Sequence, residues 1–86
     1  MEREDIKNKI REILIRNKDI TEQQEITESY NYYDEGLDSL CIYELVIALE
    51  EEYKFNTSES FNDAEITRTK TVKETIDLVL KKLKKQ

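Results

Sequence analysis

The near absence of glycine and proline constrains this chain most, because its 86 residues contain one glycine and no proline. Tight turns between β-strands depend heavily on these two residues. The sequence therefore predicts helices joined by polar loops, which is an all-α fold. A chain of this length can bury only roughly 60 to 65% of its surface, so residues 1–86 are expected to form a single domain.

Three segments show the periodicity of amphipathic helices, with apolar residues at steps of three and four. The first runs from residue 6 to about Asn17, and the second runs from Asp38-Ser39, whose oxygens can cap a helix, to about Tyr53. The last follows a capping-box pattern at residues 71–74, and the same pattern at residues 62–65 predicts a short third helix. The expected core consists of Ile6, Ile10, Ile13, Leu14, Ile42, Leu45, Val46, Leu49, Val72, Ile76, Val79 and Leu80.

Residues 18–37, between the first two helices, keep no sustained period and are rich in Thr, Glu, Gln and Asn. They predict a long loop, and long loops in small domains usually have a function. Tyr30, Tyr32 and Tyr33 are available to pin this loop to the core. The predicted fold is thus a bundle of three main helices plus one short helix.

The inventory of reactive side chains argues against catalysis by the chain itself. Cys41 is the only cysteine, so no internal disulfide forms, and no histidine exists for the usual zinc or nucleophile patterns. A calcium loop around Gly36 fails, because its final ligand position falls on Ile42. We therefore predict no catalytic residue and no metal ligand. The longest aliphatic run, residues 45–49, is too short for a membrane span, and no signal-like stretch is present, which predicts a cytoplasmic protein without a membrane partner.

Charge is distributed unevenly along the chain, whose net charge is −6. Residues 1–33 carry −2, residues 34–65 carry −9 and residues 66–86 carry +5. The acidic middle repels nucleic-acid phosphates and attracts proteins with basic patches, so we expect protein partners and no nucleic acid. Four lysines at the end of the last helix are expected to be solvated and to complement the helix dipole. They are Lys81, Lys82, Lys84 and Lys85.

The stretch around the only glycine carries a family resemblance. It reads Tyr32-Tyr33-Asp34-Glu35-Gly36-Leu37-Asp38-Ser39-Leu40. Gly-x-Asp-Ser-Leu stands directly before an acidic amphipathic helix that ends in Leu-Glu-Glu-Glu and an aromatic residue. Residues 32–55 resemble the attachment loop and second helix of the acyl carrier proteins, a family of phosphopantetheine-binding carriers. Length, acidity and helix order extend the similarity over the whole chain.

The resemblance implies that Ser39 receives a 4′-phosphopantetheine arm, which a separate phosphopantetheinyl transferase moves from coenzyme A with the help of Mg²⁺. The thiol of the arm would carry acyl groups for fatty-acid, polyketide or related biosynthesis, so the chain would be a carrier and not an enzyme. Asp38 is implied to help the transferase bind and to share its metal ion, Gly36 to let the loop turn, and Leu40 to adjoin the arm. A helix N-terminus also suits a phosphodiester, because its N–H groups and its dipole attract anions.

A second apolar strip on the second helix is expected to serve partner docking. Leu40, Tyr43 and Ile47 cluster more than a right angle away from the core-facing stripe. By resemblance, acyl-loading and acyl-processing enzymes with basic patches would dock there on a carrier that is expected to be a monomer. The acids expected to orient these partners are Glu44, Glu50 and Glu51.

Two alternatives remain open. A peptidyl carrier would bear the same arm, but its usual motif has a neutral residue before the serine, where this chain has Asp38. A carrier-like helical module that is never modified would use the same surface for interaction alone. Cys41 stands where many fatty-acid carriers have an acid, and this difference argues against a role in primary fatty-acid synthesis. We interpret Cys41 itself as an inert, half-buried residue.

Overall fold

The computed structural model describes residues 2–55 and 61–84, which form four helices. Helix α1 spans Arg3–Arg16, α2 spans Ser39–Tyr53, α3 spans Asp63–Arg68 and α4 spans Val72–Lys84. Within the described ranges no strand forms, apart from a single antiparallel bridge between Asn31 and Thr71. The prediction of an all-α fold with three main helices and one short helix is confirmed. None of these four helices has the length and apolar character needed to cross a bilayer.

Local hydrogen bonds explain where three of the helices begin. The Asp38 side chain caps α2 by accepting from a backbone N–H of its first turn. Asn62 and Glu65 form the predicted capping box of α3, with side chain to backbone bonds of 2.8 and 3.1 Å. Thr71 and Glu74 exchange equivalent bonds of 3.2 and 2.9 Å at the start of α4. Because such bonds join residues only three positions apart, the sequence predicts these starts well.

The hydrophobic core lies where α1 packs against α2 and α4, with α3 packed against α2. Eleven of the twelve predicted core residues are buried, whereas Leu80 is only partly buried. Leu80 lies at the margin of the inward face of α4, because that face is centred on Val79 and extends to Thr75 and Lys82. The core also takes apolar side chains that no helical period identified. These are Ile20, Ile26, Tyr32, Phe61 and Ile66.

Lys82 departs from its predicted place in a solvated lysine cluster. Its ammonium lies 2.9 Å from the Glu65 carboxylate, and the two side chains are 9% and 11% exposed. The pair joins α4 to α3 and leaves the Glu65 carboxylate bonded both to Lys82 and to the capping-box N–H of Asn62. Lys81 and Lys84 are exposed as predicted, while Lys85 lies outside the described residues. The sequence-based interpretation of Lys82 was therefore wrong.

The predicted long loop joins α1 to α2 and is tied down along its second half. Tyr32 is fully buried, its hydroxyl lies 2.7 Å from the Thr75 hydroxyl, and its N–H donates to the Lys70 carbonyl at 2.9 Å. Tyr30 is partly buried and meets the Tyr32 ring edge-on, with centroids 6.0 Å apart. Tyr33 is 40% exposed. The prediction that all three tyrosines pin the loop therefore holds for Tyr30 and Tyr32 and is wrong for Tyr33.

Candidate functional site

A tight turn positions Ser39 at the head of α2. The Gly36 N–H donates to the Tyr33 carbonyl at 3.1 Å, and the Leu37 N–H donates to the Tyr32 carbonyl at 2.9 Å. Gly36 has φ +90°, which L side chains rarely adopt, although a Cβ there would meet nothing within 4 Å. The glycine is thus required by backbone conformation and not by crowding. Ser39 follows as the first residue of α2, and it is exposed.

Asp38 is the N-cap of α2. Its Oδ1 accepts from the Cys41 N–H at 3.0 Å, and this bond to the backbone lowers the pKa of Asp38 below its ordinary value of 3.8. A lowered pKa means that the carboxylate is ionised at neutral pH. Asp38 therefore stabilises the start of α2. It is also exposed to solvent, as is the neighbouring Ser39. Capping and a role toward a metal ion of the transferase are compatible for one carboxylate with two oxygens.

Cys41 lies half-buried in the first turn of α2. Its hydrogen bond with the backbone of Asp38 favours the thiolate, but burial and the carboxylates of Asp38 and Asp19 outweigh it and raise the pKa to about 11. A thiol with such a pKa is neutral and weakly nucleophilic at neutral pH. This environment agrees with the interpretation of Cys41 as an inert residue.

The apolar residues of α2 that are predicted to dock partners differ in their exposure to solvent. Leu40 is 64% exposed and Ile47 is 54% exposed, so these two form the accessible part of the apolar strip. Tyr43 is partly buried, and its hydroxyl donates to Asp63 Oδ1 at 3.3 Å, which links α2 to the first residue of α3. The predicted apolar strip therefore consists of two exposed side chains, Leu40 and Ile47, with the partly buried Tyr43 between them.

The acids of α2 also differ from one another. Glu44 and Glu51 are exposed, whereas Glu50 is partly buried. None of these three forms an ion pair with another described residue. Glu52, by contrast, lies 3.0 Å from Lys9 of α1. The outer face of α2 thus presents carboxylates to solvent beside Leu40 and Ile47. Among residues 2–55 and 61–84, no group of three or more acidic or cysteine side chains is arranged to hold a metal ion.

The sequence predicted the turn, the cap and the serine, but it missed the contact between Tyr43 and Asp63. Twenty positions separate these residues, and only the packing of α3 against α2 brings them together. It also missed the outward position of Tyr33. Tyr32 and Tyr33 are adjacent and of the same type, and both lie in the turn before α2, so no local pattern of the sequence indicates which of the two rings is buried.

Comparisons with known proteins agree with this geometry. A family model described as "Phosphopantetheine attachment site" matches residues 5–79. The acyl carrier protein of Buchnera aphidicola subsp. Acyrthosiphon pisum is 35% identical over 77 residues, which cover 90% of this chain and 91% of that protein. The acyl carrier protein of Coprothermobacter proteolyticus is 32% identical over 79 residues, 92% of each chain. The crystal structure of an acyl carrier protein from Thermotoga maritima superposes with a TM-score of 0.84 and 29% identity, covering 99% of this chain and 94% of that one.

The chain belongs to the acyl carrier protein family of phosphopantetheine-binding carriers. Its prosthetic group is 4′-phosphopantetheine, and it is a non-catalytic carrier. Membership of this family also implies interaction with a phosphopantetheinyl transferase and with acyl-processing enzymes.

Proposed function

We propose that Ser39 is the attachment site and that the arm on Ser39 carries acyl groups as thioesters for fatty-acid, polyketide or related biosynthesis. The observation that carries the proposal is an exposed serine at the first position of α2, directly after an N-cap. The first N–H groups of a helix have no intrahelical acceptor, and the helix dipole is positive there. Both features favour a phosphodiester on Ser39.

The attachment reaction balances with coenzyme A as the only donor. The Ser39 oxygen bonds to the phosphorus that bears the pantetheine group, and the pyrophosphate bond of coenzyme A breaks. Adenosine 3′,5′-bisphosphate leaves, and the hydroxyl proton is released. The chain contributes the hydroxyl and its position, while the transferase contributes the catalysis. Asp38, ionised and exposed beside Ser39, is proposed to face the Mg²⁺ ion of the transferase.

We further propose that partner enzymes dock on the outer face of α2. Leu40 and Ile47 supply exposed apolar area, and Glu44 and Glu51 supply carboxylates that a basic partner can approach. Each exposed ion pair contributes on the order of 1 kcal/mol or less, which suits a carrier that must dissociate after each transfer. Glu50 and Tyr43 are more enclosed and are proposed to support this face from its edges.

Intact mass spectrometry tests the attachment site. The unmodified chain is incubated with coenzyme A, Mg²⁺ and a broad-specificity phosphopantetheinyl transferase, and its mass should rise by one phosphopantetheine group. Ser39→Ala should show no rise, whereas Ser29→Ala, at an exposed serine of the loop, should be modified like the unsubstituted chain. Modification of Ser39→Ala would place the arm elsewhere. No modification of the unsubstituted chain would support the helical interaction module instead.

The identity of the cargo is tested on the modified chain. Loading by enzymes that transfer acyl groups from acyl-coenzyme A, without loading by amino-acid-activating enzymes, is expected for an acyl carrier. The opposite result would favour the peptidyl carrier.

We also propose that the chain acts as a monomeric single domain. Its large apolar side chains are mostly enclosed by one core, and scattered exposed hydrophobic residues are normal for a monomer. Light scattering coupled to size-exclusion chromatography should give the mass of one chain at all concentrations tested, and a dimer mass would contradict the proposal.

A further inference from the structure

Tyr33 is an exposed aromatic residue that neither the core nor the α2 docking face explains. Among the described residues three large hydrophobic side chains are exposed, and they are Tyr33, Leu40 and Ile47. Leu40 and Ile47 follow Ser39 along α2, whereas Tyr33 precedes it in the attachment loop. Ser39 therefore lies in the chain between exposed apolar groups on both sides.

The backbone around Tyr33 is held in place before any partner arrives. Its own carbonyl accepts from the Gly36 N–H at 3.1 Å, and the neighbouring Tyr32 is anchored in the core. The Leu37 N–H closes the turn by donating to the Tyr32 carbonyl at 2.9 Å. A side chain presented on such a turn loses little conformational entropy on binding, and tyrosine has few rotatable bonds to order. Tyrosine is accordingly one of the residues enriched at the energetic centres of interfaces.

The three tyrosines of this loop have different environments. Tyr32 is buried and Tyr30 packs edge-on against it, so both have a structural role. Tyr33 contributes little to the core, and it is followed in sequence by the exposed acidic residues Asp34 and Glu35. An apolar ring beside two carboxylates complements a partner surface that combines apolar area with basic side chains.

We infer that Tyr33 is a contact residue for the phosphopantetheinyl transferase. The inference rests on the proposed attachment at Ser39. A transferase that brings a donor phosphate to the Ser39 oxygen must approach the surface around that residue, and the turn that carries Tyr33 leads directly into the start of α2. Acyl-processing enzymes act on the thiol at the far end of the arm, so they can bind α2 without covering the turn. Tyr33 therefore distinguishes the modifying enzyme from the enzymes that use the finished carrier.

Steady-state kinetics with the transferase test this inference on the full chain. Tyr33→Ser should raise the KM for the unmodified carrier about tenfold, the loss expected for an aromatic interface contact, with kcat little changed. Tyr33→Phe keeps the ring and should stay close to the unsubstituted chain. The matched control is Tyr30→Ser, which should lower the melting temperature but leave the KM unchanged at temperatures where the variant is folded. Once modified, Tyr33→Ser should be used by an acyl-processing enzyme with an unchanged KM.

A direct contact measurement covers the case in which Tyr33→Ser folds poorly. Ser39→Ala is mixed with the transferase in the absence of coenzyme A, and nuclear magnetic resonance shifts are followed along the loop. Signals of Tyr33 and Asp34 should shift or broaden more than the signal of Tyr30.

The possible results separate this inference from the proposed function. An unchanged transferase KM for Tyr33→Ser, or unperturbed Tyr33 signals in the mixture, would overturn the role of Tyr33 while Ser39 attachment stands. A KM increase that appears only with acyl-processing enzymes would overturn its assignment to the transferase. Absence of any modification in the unsubstituted chain would be a failure of the proposed function itself.

Discussion

The outer face of α2 and the junction between α3 and α4 use glutamate in opposite ways. Glu44 and Glu51 lie exposed on α2 without an ion-pair partner among the described residues, and each follows an exposed apolar residue by four positions, Leu40 and Ile47 respectively. At the junction Glu65 meets Lys82 in a pair that is almost completely enclosed. The first arrangement leaves charge available to a partner protein. The second uses charge to hold two helices together.

Burial explains why these regions differ in energy. Water screens exposed charges, so an exposed pair contributes about 1 kcal/mol or less. An enclosed pair offsets the cost of desolvation only while both members are present, and removing one leaves a buried charge without a partner. Substitutions on α2 are therefore expected to affect partners, and substitutions at the junction are expected to affect folding.

Removal of Lys82 should produce the largest change in stability. Lys82→Ala leaves the Glu65 carboxylate enclosed and unpaired, and we expect it to lower the free energy of unfolding by roughly 3 kcal/mol. Lys81→Ala, at the exposed neighbouring position, should change it by less than about 0.5 kcal/mol. Urea unfolding of the two variants checks this contrast, and equal midpoints would show that the junction is not held by the ion pair.

The contribution of the junction should depend on pH. Burial alone would raise the pKa of Glu65, but the hydrogen bonds from Lys82 and from the Asn62 N–H hold it below its ordinary value of 4.5. A carboxylate with a lowered pKa in the folded state stabilises the protein above its ordinary pKa and loses this effect as pH falls through the lowered value. The difference in unfolding free energy between the unsubstituted chain and Lys82→Ala should therefore be largest near neutral pH.

The same difference should narrow as the pH falls toward and through 4.5. In Lys82→Ala the unpaired Glu65 takes up a proton more readily, which adds to the narrowing. Urea titrations of both proteins at a series of acidic pH values measure the difference. A constant difference across the whole series would contradict the assignment of the effect to Glu65.

Asp38 should be the one exposed acid near Ser39 that matters for stability, because it caps α2. Asp38→Ala should lower the free energy of unfolding by about 1 kcal/mol, whereas Asp38→Asn retains a capping oxygen and should lower it much less. Thermal unfolding gives both values. If Asp38→Asn unfolds normally but is modified slowly by the transferase, the capping role and the role toward the transferase are separated. Equal melting temperatures for the two variants would remove the capping explanation.

The smallest stability effects are expected on the outer face of α2. Glu44→Gln and Glu51→Gln should each change the free energy of unfolding by less than about 0.5 kcal/mol, with a slight increase because they reduce repulsion within the acidic middle of the chain. Added salt should raise the melting temperature of the unsubstituted chain for the same reason. Both variants should bind basic partners more weakly. A large loss of stability in either variant would show that the glutamates on the outer face of α2 contribute to folding, as Glu65 does at the junction between α3 and α4.

Much of the fold could be predicted because its signals are local. The capping boxes of α3 and α4 and the Asp38 cap join residues three positions apart, and the turn before Ser39 depends on a single glycine with positive φ. Leu80 was misplaced for a different reason. Its position on α4 satisfies the helical period, but the period does not say how wide the buried face is.

By itself the sequence determined the helices, the attachment turn and the uneven distribution of charge, since these depend on side chains a few positions apart and on composition. Only the tertiary structure decided which lysine is buried and which tyrosine faces outward. Lys82 resembles its neighbours in sequence, and Glu65 lies seventeen positions away, so their pairing depends on how α3 rests against α4. Burial is a property of surfaces that meet from distant parts of the chain, and residue type alone does not contain that information.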